Sequence, residues 1–185
     1  MIYIIDHQDS FTWNVVHQFS KFDEVYCSNY FEINKKKLDQ SNTIVLSPGP
    51  GTPKDYPFTS KIYNKYKGKK KLIGICLGYQ QILFNEKGKI KQQKRIYHGY
   101  QSIVKVTKES KLFKENKTFK VGRYHSLRLF EPFKSNTIKI TMRCGITNIP
   151  MGIEDLKNKV YGFQFHPESF LTENGNFIIK KILSA

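Results

Sequence analysis

Cys76 stands between two glycines, Gly74 and Gly78, in the run Leu-Ile-Gly-Ile-Cys-Leu-Gly-Tyr-Gln from Leu72 to Gln80. Glycines at i−2 and i+2 let backbone tighten into a sharp, strained turn without side-chain collision, which is how a nucleophile elbow is built. A thiol on such a turn faces the unpaired N–H groups and the positive dipole end of a following helix. Those groups favour negative charge and can also stabilise an oxyanion. A second set of reactive types lies far along the chain, in Phe-Gln-Phe-His-Pro-Glu-Ser from Phe163 to Ser169. The i, i+2 spacing of His166 and Glu168 puts both side chains on one side of extended backbone, and Pro167 biases His166 toward that geometry. A histidine beside a thiol can take its proton and return it to a leaving group. A carboxylate can fix the imidazole tautomer and stabilise the imidazolium. Each signal alone has a plainer reading, a small buried thiol or a surface turn. Taken together they are the parts of a Cys-His-Glu acyl-transfer site.

Certain elements must bring those parts together. Leu72, Ile73 and Ile75 predict a short buried strand and Gln80 to Asn85 the start of a helix, so Cys76 falls on their junction. Ile2 to Asp6 is a continuous apolar run, as in a strand buried on both faces of a parallel sheet. Asp9 or Ser10 is placed to cap a helix through Phe19, with Phe11, Val15, Phe19 and Phe22 as its core face. Val25 to Ser28 and Thr43 to Leu46 predict further strands, and Asp55 to Lys67 a helix leading to the Cys76 strand. This alternation implies βαβ units. The third strand ends in Ser-Pro-Gly-Pro-Gly-Thr-Pro, residues 47–53, where prolines fix φ and glycines let backbone N–H groups approach a ligand. Ligands of open α/β sheets sit beyond the carboxyl ends of strands, so this loop and Cys76 can face each other. A rigid turn with no ligand is the alternative reading of that loop. Later, Gly88 to Tyr97 and Gln101 to Thr107 alternate apolar and polar residues, as antiparallel strands added to the main sheet would. Phe119 to Leu127 reads as a strand running into a polar turn, and Ile138 to Cys144 and Met151 to Glu154 as short strands. The expected fold is therefore α/β, one domain over residues 1–185, with an open, mostly parallel sheet flanked by helices and extended by antiparallel strands.

Composition narrows the class. A chain of 185 residues that is 39% hydrophobic fits one globular domain with a core of ordinary size. Cys27, Cys76 and Cys144 cannot all pair within one chain and form no C-x-x-C spacing, which points to a reducing, cytoplasmic setting. Cys27 reads as packing, Cys144 as inert, and His98 as a structural or partner-contacting residue. No run approaches the roughly 20 apolar residues of a membrane span. The net charge of +16 asks for an electrostatic partner. Nearly all of the excess is lysine, scattered and without the aromatic interleaving of single-strand binders, so nucleic acid is not the expected partner.

These residues also carry a resemblance. The chain is similar to the class I (triad) glutamine amidotransferases, flavodoxin-like in fold, and within them to the glutaminase subunit (component II) of anthranilate synthase or aminodeoxychorismate synthase. The similarity runs through Asp9-Ser10-Phe11-Thr12 with Asn14, Ser47 to Pro53, Gly74 to Gln80, His98-Gly99, Arg123 to Leu127 and Gly162 to Ser169. It implies that Cys76 attacks the side-chain amide of L-glutamine, with His166 as acid/base and Glu168 orienting it. It implies an oxyanion hole from the backbone N–H groups of Leu77 and Gly49, and glutamine recognition by Gly49, Pro50, Gly51, Gln80, Ser126 and Leu127. It implies no cofactor and no metal in this subunit, and a chorismate-binding synthase subunit that receives the ammonia. The chain departs from the family pattern at His7-Gln8, where Asn-Tyr is usual, and at Tyr79 and Tyr100. A triad amidotransferase serving a GMP synthetase, and a non-catalytic basic binding protein on the same fold, are the competing readings.

Overall fold

The alternation of apolar runs and helices builds one nine-stranded sheet with a small separate ribbon, seen in a computed structural model that describes residues 1–185. The first half runs β1 (Ile2–Asp6), α1 (Thr12–Ser20), β2 (Val25–Asn29), α2 (Lys35–Gln40), β3 (Thr43–Leu46), α3 (Pro57–Tyr66), β4 (Lys71–Ile75) and α4 (Leu77–Asn85). The second half adds β5 (Lys89–Gln92), β6 (Tyr100–Val106), β7 (Thr118–Arg123), β8 (Leu127–Phe130), β9 (Lys139–Cys144), β10 (Pro150–Asp155), β11 (Val160–Phe163) and α5 (Gly175–Leu183). The sheet order is β2-β1-β3-β4-β11-β10-β9-β6-β7. Its first five strands are mutually parallel, and the remaining four join antiparallel.

Why the parallel strands read as unbroken apolar runs follows from the two cores. Ile2 and Ile4 of β1 face one cluster, with Val15 and Phe19 of α1 and Ile178, Ile179 and Ile182 of α5. Tyr3 and Ile5 face the other, with Ile62 and Tyr63 of α3 and Tyr79, Ile82 and Leu83 of α4. Alternate side chains leave a strand on opposite faces, so a strand covered on both sides needs apolar residues at every position.

Several boundaries differ from expectation. α4 starts at Leu77, directly after Cys76, so the elbow feeds the helix with no intervening turn. α1 starts at Thr12, and no side chain caps its own end; Asp9 accepts from Phe11 N in the turn before it. Phe11 is consequently not part of the α1 core face and packs on His166 instead. The lysine-rich stretch forms α2, which Asn34 caps by accepting from Lys37 N at 3.1 Å. Gly88 to Tyr97 does not extend the main sheet. Its β5 segment has one half-buried apolar residue, Ile90, and pairs only with β8 in the two-stranded ribbon.

Candidate active site

Cys76 is held at φ 52°, ψ −100°, a left-handed conformation that a non-glycine residue adopts only under constraint. Its N–H donates to Phe163 O at 2.8 Å, tying the elbow to β11. The flanking glycines are demanded by packing. A Cβ on Gly78 would lie 2.1 Å from Leu46 O, and one on Gly74 would lie 2.5 Å from the Gly78 carbonyl group. The chain can therefore turn straight from β4 into α4 while pressed against β3.

The Ser47–Gly51 loop leaves β3 beside this elbow. His7 holds it there, with its N–H donating to Ser47 Oγ at 2.9 Å and its ring Nδ1 3.2 Å from the Ser47 hydroxyl and carbonyl. The ring's Nε2 lies 3.1 Å from Thr59 Oγ1. Burial lowers the His7 pKa to about 4, against smaller opposing effects of Ser47 and Asp6, so the ring is neutral near pH 7. Gly49 fits between His7 and α4, where a Cβ would come within 2.5 Å of His7 Cβ and 2.6 Å of Leu77 Cδ2. Tyr56 closes the loop's far side by donating to Pro50 O at 2.8 Å.

His166 arrives from the other direction. Beyond β11 its N–H donates to Gly122 O at 3.0 Å, which anchors it to β7. Nδ1 lies 2.7 Å from Glu168 Oε1, and the imidazole is 2% exposed. Phe11 and Tyr124 pack on the ring at centroid distances of 5.2 and 5.0 Å. Nε2 makes no hydrogen bond, and neither does Glu168 Oε2. Burial by itself would pull the His166 pKa down. The Glu168 carboxylate outweighs it, Cys76 adds to the effect, and the value stands well above the ordinary one. One nitrogen is thus committed to a carboxylate and the other is left for the thiol, an arrangement suited to proton transfer at sulfur.

A cavity of about 410 Å³ opens over Cys76. Gly49, Pro50, Gly51, Leu77, Gln80, Ser126 and Leu127, the residues for which the resemblance implies oxyanion or substrate binding, all line it. His166 and Glu168 lie behind the wall rather than in it. Gln80 donates to Leu127 O at 3.3 Å and to Gln164 Oε1 at 3.2 Å, while Gln164 Nε2 lies 3.9 Å from Cys76 Sγ. Sequence reasoning passed over Gln164, although one polar residue between Phe163 and Phe165 was a visible signal. Phe11 and Tyr124 lie in segments that carry the family resemblance, but their packing on His166, like the hold of His7 on the Ser47 loop, depends on distant loops. A larger cleft, about 800 Å³, lies at the amino ends of the strands and is lined by Lys69, Lys70, Lys71, Lys159 and Lys180. Its one side-chain carboxylate, Asp23, is paired with the Met1 ammonium at 2.8 Å.

The family model for glutamine amidotransferase class-I matches residues 3–185. Anthranilate synthase component 2 of Lactococcus lactis is 33% identical over 186 residues, covering 100% of this chain and 94% of that one. The bifunctional protein TrpGD of Thermotoga maritima is 33% identical over 99% of this chain, which spans only 32% of that longer protein. Among solved structures, a GMP synthase component from Thermoplasma acidophilum superposes with a TM-score of 0.84 at 19% identity. That match covers 99% of this chain and 92% of the other, and at this identity it speaks for the fold alone. A family model matched over nearly the whole chain, and relatives above 30% identity along their full length, place this chain in the class I glutamine amidotransferase family.

Proposed function

We propose that the chain is the ammonia-supplying subunit of a chorismate-using synthase, and that Cys76, His166 and Glu168 are its catalytic triad. The observation that carries the chemistry is the free Nε2 of His166, backed by Glu168 at 2.7 Å, beside a strained Cys76 at the floor of a cavity. The raised pKa of His166 favours a resting pair in which the Cys76 proton is already on the imidazole, and Cys76 Sγ then attacks the side-chain amide carbon of glutamine. The oxyanion receives the N–H groups of Leu77 and Gly49, donors of a kind worth about 3 kcal/mol each in comparable sites. His166 then protonates the amide nitrogen, the C–N bond breaks, ammonia leaves, and a γ-glutamyl thioester remains on Cys76. Water attacks the thioester, giving its proton to His166 and then to sulfur, and glutamate is released.

Two observations support the chorismate branch over a GMP synthetase role. Full-length relatives above 30% identity bear the name anthranilate synthase component 2, and the chain carries Asp9-Ser10-Phe11-Thr12 together with Arg123-Tyr124-His125-Ser126-Leu127. Free ammonia release would waste glutamine, so hydrolysis is expected to be slow in the isolated chain and to rise at least tenfold with the synthase subunit. The test is ammonia release from glutamine, alone and with a chorismate-binding synthase. The product formed from chorismate then distinguishes anthranilate from 4-amino-4-deoxychorismate. Equal rates with and without the synthase, or glutamine turnover absent while nucleic acid binds in a salt-dependent way, would contradict the proposal.

A further inference from the structure

Arg123 ends β7 and is 0% exposed, yet no carboxylate meets it. Its Nε donates to His125 Nε2 at 3.1 Å, Nη1 lies 3.5 Å from both Ser102 Oγ and Cys144 Sγ, and Nη2 has no partner. The guanidinium carbon sits 3.6 Å from the centroid of the Tyr97 ring, within cation–π range. A buried cation without a counter-ion is costly, so its effect on its neighbours is informative.

That effect is on His125. A guanidinium can only donate, so His125 Nε2 must be the accepting nitrogen and the ring hydrogen must sit on Nδ1. Nδ1–H then donates to Leu127 O at 2.8 Å, and Gln93 Nε2, 3.3 Å from the same nitrogen, donates to the nearer His125 carbonyl instead of the ring. The same carbonyl accepts from Gln80, and Gln93 Nε2 donates to the His125 carbonyl at 2.6 Å, so the segment is pinned at both ends. Residues 124–127 form one wall of the cavity over Cys76. Burial first, then the Arg123 charge, with His166 adding, lowers the His125 pKa to about 3, and the ring is neutral under working conditions.

We propose that Arg123 and His125 are positioning residues for the substrate. Arg123 selects the Nδ1–H tautomer of His125, and that N–H fixes the Leu127 carbonyl and with it the backbone wall that receives glutamine. The inference rests on the glutaminase reading and gives part of its binding site a cause. Neither residue touches the reacting atoms, so the effect belongs in substrate affinity rather than in the chemical step.

Two substitutions of one shape separate positioning from mere packing. His125→Asn keeps an N–H where Nδ1 stands, whereas His125→Asp offers only acceptors there and places a carboxylate near the unpaired Arg123. The readout is alkylation of Cys76 by a diazo-ketone analogue of glutamine, followed against analogue concentration, with iodoacetamide as a reagent that needs no glutamine pocket. H125D is expected to raise the half-saturating concentration at least tenfold with the limiting rate unchanged within threefold. H125N should stay within threefold of wild type. Both variants behaving like wild type, or both weakened alike, would overturn the proposal. If H125D does not fold, His125→Leu, which also lacks the donor, carries the same comparison. Wild-type protein that reacts with iodoacetamide at Cys76 but not saturably with the analogue would instead overturn the glutaminase reading beneath it.

Discussion

Glu168 decides which nitrogen of His166 is free for Cys76, because its carboxylate claims Nδ1 at 2.7 Å. Glu168→Gln keeps the shape and removes the charge that favours the imidazolium and fixes the tautomer. By comparison with triads in which the orienting carboxylate becomes an amide, kcat should drop on the order of 10³–10⁴ with little change in KM. Steady-state glutamine hydrolysis in the presence of the synthase checks this, and an unchanged kcat would remove Glu168 from the triad. Two other buried histidines affect stability rather than chemistry. His7 and His125 have pKa values lowered to about 4 and about 3, so between pH 6.5 and 5 the unfolded chain binds protons that the folded chain does not. Stability should therefore fall as pH falls through that window, with each ring contributing up to about 1.4 kcal/mol per pH unit. His166 acts in the opposite sense. Its raised pKa gives stability that is fully present below about pH 6.5 and is lost as pH rises through the folded-state value, so it leaves the acidic window unaffected. Denaturant unfolding at several pH values should show the slope, and His7→Asn should remove about half of it. Of these residues the members of the proposed triad were visible in sequence, because Cys, His and Glu advertise their chemistry by type and by glycine or proline neighbours. His7, Arg123 and His125 acquire their properties only when distant loops bury them, and no local pattern announces that.

At the scale of elements, the elbow works because β4, α4 and β3 leave no room for side chains at two positions. Gly78→Ala would drive a Cβ to 2.1 Å from Leu46 O, a backbone atom that cannot swing aside. Overpacking of that kind should cost about 3 kcal/mol or more in unfolding free energy and abolish turnover along with it. Gly49→Ala presses on the His7 and Leu77 side chains instead. Because His7 Cβ is fixed to backbone it should also cost stability, less than Gly78→Ala does, and it should lower kcat roughly a hundredfold by shifting an oxyanion donor. Denaturant unfolding and kinetics together distinguish the two, and equal stability loss at both sites would contradict the assignment. The parallel strands were readable because two-sided burial leaves unbroken apolar runs. α5 was not, since it enters through Asn174 in a left-handed conformation rather than through a capping side chain. The β5–β8 ribbon was misassigned because alternation in sequence predicts a strand without naming its neighbour.

The whole molecule gathers segments from Gly49, Cys76, Leu127 and His166 at the carboxyl edge of one sheet, where β3, β4 and β11 lie side by side in parallel. The order β2-β1-β3-β4-β11 explains why Cys76 and His166, far apart in sequence, become neighbours: their strands pair directly. No helix is long and apolar enough to cross a membrane. Lys69, Lys70, Lys71, Lys159 and Lys180 line the large cleft at the opposite end of the sheet. On the proposed function, Cys76 alone among three free thiols is a nucleophile tuned for glutamine. The most direct measurement is incubation with a diazo-ketone glutamine analogue followed by peptide mass spectrometry of the adduct. One adduct is expected, on Cys76, and it should be lost in His166→Ala. Labelling spread over Cys27 and Cys144, or undiminished in His166→Ala, would contradict that claim.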